Sequence, residues 1–144
     1  MKYLSIFFIS LLLFSCGENK GEKKDTSLNK ETGVDFSNKG IGPIKELKFG
    51  AINEELVQKG AAAYRSKCTA CHAIDKKLIG PALKGIYKRR SPEWVVNLLL
   101  NPTEMLKKDP IAMALLKEYN NIMMLNQNLS EDEALAIAEF MRTL

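Results

Sequence analysis

The chain has 144 residues, 46% of them apolar and 26% charged, which is enough for one compact domain with appendages. Twenty-one basic against 17 acidic side chains leave a net charge of only +4. No basic run is interleaved with aromatics, so neither charge nor pattern points to a nucleic-acid partner.

The N-terminus reads as an export signal. Lys2 is followed by the almost wholly apolar run YLSIFFISLLLF (residues 3–14), too short for a comfortable membrane span. It ends in Leu13-Phe14-Ser15-Cys16-Gly17. A small residue before a cysteine, after an apolar core, resembles the lipobox of bacterial lipoproteins. The resemblance implies that residues 1–15 are a signal peptide and that Cys16 carries the lipid anchor. The plain alternative is ordinary cleavage, with Cys16 left as a free thiol. In either case export delivers the other two cysteines to an oxidising compartment.

Residues 16–52 read as a flexible linker. Residues 17–48 hold seven lysines and six acidic residues, and Leu28, Val34 and Phe36 are the only large apolar residues up to Gly40. Such a segment buries too little surface to offset the entropy of ordering. Its r.m.s. span as a free coil is roughly 30 Å.

Residues 53–144 read as a domain of short helices. Asn53 caps a helix with Glu54 and Glu55 in its first turn, where the helix dipole favours acids. Leu56, Val57, Gly60, Ala63 and Tyr64 follow at helical spacing. Ser91-Pro92-Glu93 starts a second helix, with Trp94, Val95, Leu98 and Leu99 as its apolar face. Asn101-Pro102 stops it and opens another short turn. Asp109-Pro110 opens a helix to about Tyr119. Ser130-Glu131-Asp132-Glu133 is a capping box, and Ile137, Phe140, Met141 and Leu144 form one stripe for a partner helix. Sustained period-two alternation is lacking, so the fold class is all-α with no sheet. A core this small often leans on a ligand or a staple.

The residues that carry chemistry are Cys68-Thr69-Ala70-Cys71-His72, which include the chain's single histidine. Structural zinc needs four ligands, and the exported domain offers only Cys68, Cys71 and His72, the last two adjacent. A thiol–disulfide site expects a βαβ setting, and no strands are evident. C-x-x-C-H is also the attachment signature of c-type haem. Two thiols one turn apart can form thioethers along one haem edge, and the next imidazole can bind iron from the proximal side. Export supports this reading, because bacteria attach haem covalently outside the cytoplasm.

The ordered set of CTACH, the preceding Gly60 and Tyr64, and Gly80-Pro81-Ala82-Leu83 resembles the small class I cytochromes c, over about residues 54–144. The resemblance implies a class I cytochrome c fold with the first and last helices packed across each other, placing Phe140 against Gly60 and Tyr64. It implies one haem c, covalent through Cys68 and Cys71, with His72 on iron. It also implies that the Pro81 carbonyl accepts the imidazole N–H.

With no second histidine, the usual remaining axial ligand is a methionine thioether. Met105, Met113 and Met141 sit at helical spacing, which suits packing. Met123 and Met124 lie in a stretch without helical period. By the family's pattern of a ligand a few residues before Leu129-Ser130, Met124 takes the position, although Leu125 stands where the family usually has proline. Met123 is one residue off. Tyr87, Arg90 and Trp94 carry donors suited to the haem propionates. Their alternative roles are helix core for Trp94 and solvation for Arg90.

Residues 73–90 hold six basic side chains and one acid, whereas residues 130–144 hold four acids and one arginine. A basic side near the haem edge would steer an acidic redox partner. The alternative is a solvated lysine-rich face. The sequence therefore reads as a lipid-anchored electron carrier facing the periplasm, in a respiratory chain and with a weaker likeness to small cytochromes of nitrogen-oxide respiration. The other readings are a five-coordinate haem sensor or minor haem enzyme, and a haem-free thiol module.

Overall fold

The computed structural model describes residues 34–144 and the two-residue strand Leu28–Asn29. The export signal and Cys16 lie outside the described residues. Five α-helices follow in chain order: α1 (Glu54–Lys67), α2 (Pro92–Leu100), α3 (Pro102–Lys108), α4 (Pro110–Glu118) and α5 (Glu131–Met141). A 3-10 turn, Ile86–Lys88, precedes α2. Among the described residues no helix is long and apolar enough to cross a membrane.

The helix boundaries follow local chemistry. Asn53 accepts the backbone N–H groups of Glu55 and Leu56 and starts α1. Ser91 accepts the Trp94 N–H ahead of Pro92, and Asp109 accepts the Ala112 N–H ahead of Pro110. The capping box at Ser130 and Glu133 is complete in both directions. Each side chain satisfies helix-end donors that have no partner within the helix.

The longest helices, α1 and α5, cross in the most extensive contact of the fold. Gly60 lies at the crossing. A Cβ placed there would sit 1.9 Å from the Ala136 carbonyl oxygen, so only glycine admits this approach. One turn on, the rings of Tyr64 and Phe140 stack with centroids 5.4 Å apart. Val96, Met105, Ile137, Ala134 and Ala138 are wholly buried in the common core.

Two expectations need correction. One is the absence of any sheet. Strand β1 (Leu28–Asn29) pairs antiparallel with β2 (Val34–Asp35), with Leu28 opposite Asp35 and Asn29 opposite Val34. A pair of two-residue strands is too short to show alternation in sequence. The other concerns the expected linker, whose distal part is a strap on the domain. Asn97 donates to the carbonyls of Lys39 and Ile44 at 2.8 Å each, and its Oδ1 accepts the Ile44 N–H at 3.0 Å. Ser91 donates to the Asn38 carbonyl at 2.7 Å, and Glu93 accepts the Leu47 N–H at 3.1 Å. The sulfur of Met105 accepts the Ile41 N–H at 2.9 Å. Ile41, Ile44, Leu47 and Phe49 pack against the core. The far end is held by Arg142, which donates to the Gly50 carbonyl at 2.8 Å and lies over the Phe49 ring. The charged composition hid this because the strap is ordered by partners at least 46 residues away along the chain.

Candidate functional site

α1 delivers the CTACH segment. Cys68 is its C-cap, with its N–H donated to the Tyr64 carbonyl at 2.9 Å. The chain then closes one further turn: the N–H groups of Cys71 and His72 both donate to the Cys68 carbonyl, at 3.1 and 2.9 Å. The hydroxyl of Tyr64 donates to the His72 carbonyl at 2.8 Å, and the Gly80 N–H donates to the Cys71 carbonyl at 2.8 Å. Burial pushes the Cys68 thiol pKa up, whereas Cys71 is exposed.

The imidazole is oriented from the next loop. His72 Nδ1–H donates to the Pro81 carbonyl at 2.9 Å. A carbonyl can only accept, so this contact fixes the proton on Nδ1 and leaves the Nε2 lone pair for a metal. Gly80 makes room for the ring, since a Cβ there would lie 2.4 Å from His72 Cε1.

Cys68, His72 and Pro81 line one narrow cleft together with Leu83, Val95, Leu98, Leu99 and Leu115. Met124 and Met141 also line it, and Arg89 and Arg90 are its two fully charged members. Arg90 Nε is buried and has no hydrogen-bond partner among the described residues. Burial pulls the Arg90 pKa down and the neighbouring Arg89 charge adds to this, while Asp109 and Glu118 act in the opposite direction. An apolar slot with the Cys68 thiol, a free imidazole nitrogen and an orphaned guanidinium donor, and with Cys71 exposed on the adjoining turn, fits a haem with its carboxylates. Among the described residues no cluster of three or more Cys, His, Asp or Glu side chains is arranged to hold a bare metal ion.

The methionines separate clearly. Met124 is half-buried in the cleft lining, whereas Met123 is 45% exposed and is not part of it. Met105 is fully buried beneath the strap, and Met113 is exposed on α4. Met141 was read as core and is core, but it also forms part of the cleft wall.

The expected propionate donors divide. Arg90 is in the cleft with an unused donor. The Tyr87 hydroxyl donates to the Ala138 carbonyl on α5 at 3.0 Å, and its ring meets Phe49 edge-on. The 3-10 turn presses this side chain onto α5, away from the cleft lining. The Trp94 ring does line the cleft, but its indole N–H donates to Asp109 at 3.0 Å. The N-cap of α4 therefore takes the donor that the sequence assigned to a carboxylate of the cofactor.

In the sequence Arg89 stands out only as one charge of a basic stretch. Its guanidinium spans the Lys84 and Ala82 carbonyls at 2.9 Å each. Asp109 was read only as a cap. Nothing in the local sequence marks either added role, since both depend on where α2 and the Gly80 loop come to lie.

A helical shell closed by crossed terminal helices around a CxxCH-bearing cleft defines a class I c-type cytochrome. A family model for cytochrome c matches residues 57–144, and the chain belongs to that family. Its cofactor is accordingly one covalently attached haem c. Among solved structures, cytochrome c from Rhodothermus marinus is similar at 41% identity and a TM-score of 0.68, covering 71% of this chain and 88% of that one. The cytochrome c domain of a Pseudomonas putida protein is similar at 31% identity and a TM-score of 0.52, over 58% of this chain and 85% of that one. Cytochrome c-551 of Stutzerimonas stutzeri is 49% identical over 37 residues, 25% of this chain and 36% of that protein. The match thus spans about a third of that curated relative's length.

Proposed function

We propose that this cytochrome c carries single electrons at the periplasmic face of a bacterial envelope, with His72 and Met124 as axial ligands and a lipid on Cys16 as its anchor. The observation that carries the ligand assignment is that Met124 lines the same cleft as Cys68 and His72. When bound, the haem supplies a one-electron couple at its iron. The protein's part is to hold that couple nearly still. His72 is oriented by Pro81, the cleft walls exclude water, and a methionine thioether favours the reduced state and raises the potential. Arg90 offers its buried N–H to a propionate. Small reorganisation in a dry, fixed cleft suits repeated electron exchange better than substrate turnover.

A redox partner with an acidic face would meet Lys76, Lys77, Lys84 and Lys88, which are exposed around the CTACH and Gly80 loops. Such complementarity speeds encounter and weakens with salt. The setting would be a respiratory chain, with nitrogen-oxide respiration as one such setting.

A specific observation favours a second reading, a five-coordinate haem that binds small ligands. Among the described residues, Met124 sits in a loop with no hydrogen bond from residues 123–129 to another element. Asn120, Asn121 and Asn128 flank it with φ of 58°, 58° and 49°, a left-handed conformation that asparagine adopts more readily than other non-glycine residues and that marks turns on either side of the loop.

Optical spectra of the ferric and ferrous full chain, wild type and Met124→Ala, separate the two readings. A far-red charge-transfer band in the wild type that disappears in Met124→Ala supports the His72/Met124 carrier. Colour without that band in the wild type puts the open-iron reading in its place.

A further inference from the structure

We propose that Arg89 is a positioning residue for the axial histidine, acting through the backbone of the Gly80 loop; the inference rests on His72 as an iron ligand. The guanidinium reaches back from the end of the 3-10 turn. Its Nη2 donates to the Ala82 carbonyl and its Nη1 to the Lys84 carbonyl, each at 2.9 Å. Ala82 directly follows Pro81, whose carbonyl holds His72 Nδ1–H at 2.9 Å. Among the described residues no other donor reaches the Ala82 or Lys84 carbonyl.

The backbone fixes this loop at both ends. The Gly80 N–H donates to Cys71, and the Leu83 and Lys84 N–H groups donate to Ile74, at 3.1 and 2.7 Å. Between those ties lie Pro81, which has no N–H, and Ala82. Arg89 supplies the tie that the proline cannot make. A planar fork gripping two carbonyls two residues apart restricts rotation of the Ala82–Leu83 and Lys84–Gly85 peptide units. The Pro81 carbonyl stays aimed at the imidazole as a result. Lysine places its three donors on one point charge at the end of a flexible stem, so it lacks the rigid fork that spans both carbonyls.

The consequence lies in the ligand's electronics. A metal-bound imidazole whose distal N–H is firmly held is a stronger base. A stronger donor favours the ferric state, so a loosened contact raises the reduction potential. Removing a positive charge beside the cleft acts in the opposite direction, and the choice of variants separates the two effects.

The test uses the full-chain holoprotein as wild type, Arg89→Lys and Arg89→Gln. Three quantities are read: the solvent-exchange rate of the His72 Nδ1 proton by NMR, the reduction potential, and the unfolding midpoint. Both variants should exchange that proton at least ~10-fold faster, a loss of about 1.4 kcal/mol of protection. Arg89→Lys, which keeps the charge, should also show a raised potential. Unchanged exchange in both variants overturns the proposal, whatever happens to the midpoint, and reduces Arg89 to a structural brace. A potential that moves only in Arg89→Gln, with exchange unaltered, overturns it in favour of a through-space charge effect. If the wild type shows no iron-shifted His72 Nδ1 proton, the ligand assignment itself fails, a result distinct from both.

Discussion

Asp109 accepts the indole N–H of Trp94 at 3.0 Å through Oδ1, the same oxygen that accepts the Ala112 N–H at 2.9 Å and caps α4. Its other oxygen accepts the side-chain amide of Asn38 at 2.8 Å. One carboxylate, 2% exposed, thereby joins a wall of the haem cleft, a helix start and the strap. Asp109→Ala removes the acceptor of all three hydrogen bonds and leaves a buried indole N–H unpaired, which should cost roughly 3 kcal/mol. Asp109→Asn keeps an acceptor for Trp94 and should cost about 1 kcal/mol. Urea unfolding of the ferric holoproteins checks the ranking, and equal midpoints would refute it.

Gly60 is the least replaceable residue of the α1–α5 crossing. In Gly60→Ala the helices must separate to relieve a contact with backbone, which cannot rotate away. The expected loss is about 3 kcal/mol, the upper end for an overpacked core. Ala63→Gly, a change of similar size on a half-buried face of the same helix, should cost only about 1 kcal/mol. The two denaturation midpoints, measured side by side, test whether close approach rather than helix propensity governs this position.

The strap should count as part of the folding unit. Residues 53–144 alone would leave Asn97, Glu93 and the Met105 sulfur without their strap partners. They would also expose the core surface under Ile41, Ile44 and Leu47. A stability roughly 3 kcal/mol below that of residues 34–144 is expected. Matching unfolding curves for the two lengths would return the strap to the status of a tether.

Acid should weaken the fold through Glu139 and Glu93. Burial pushes the Glu139 carboxyl up, but Arg142 and the Asn53 N–H outweigh it and hold the pKa below the ordinary value. Burial likewise pushes Glu93 up, and its own backbone N–H, Lys39 and the Leu47 N–H bring it down. A depressed folded pKa means that the added stability is complete above the unfolded value of about 4.3 and is lost as pH falls through the lower folded value. Unfolding midpoints should therefore be flat from about pH 5 to 7 and fall below about pH 4.3. Glu139→Gln should lower the plateau and shallow the fall.

Much of this architecture was legible because it is written locally. Asn53, Ser91, Asp109 and Ser130 mark helix starts by a side chain and a spacing, and each start is where the residues put it. CTACH and Gly80-Pro81 are likewise local, so the placement of His72 against Pro81 followed once the family was recognised. What the sequence hid depends on distance along the chain. The strap is ordered by Asn97 and Glu93, Tyr87 is claimed by Ala138, and Trp94 by Asp109. Arg89 and Arg90 are neighbours of identical chemistry, yet one clamps a loop and the other keeps an unpaired N–H in the cleft. No spacing rule distinguishes them, because the difference arises from how the turn at Ile86–Lys88 is docked.

The strap also decides how the domain would meet a mechanical load. Beyond the β1–β2 pair, a pull from the N-terminal side would meet Asn38, where it is resisted by Ser91 and Asp109, and next the carbonyls of Lys39 and Ile44 held by Asn97. It would reach α1 only after Arg142 had released Gly50 and Glu139 had released the Asn53 N–H. Cys68 and His72 lie at and beyond the opposite end of α1, so force would be dissipated bond by bond before it strained the CTACH turn. A domain pulled from that side would peel from the edge inward, with the CTACH turn among the last parts to feel the tension.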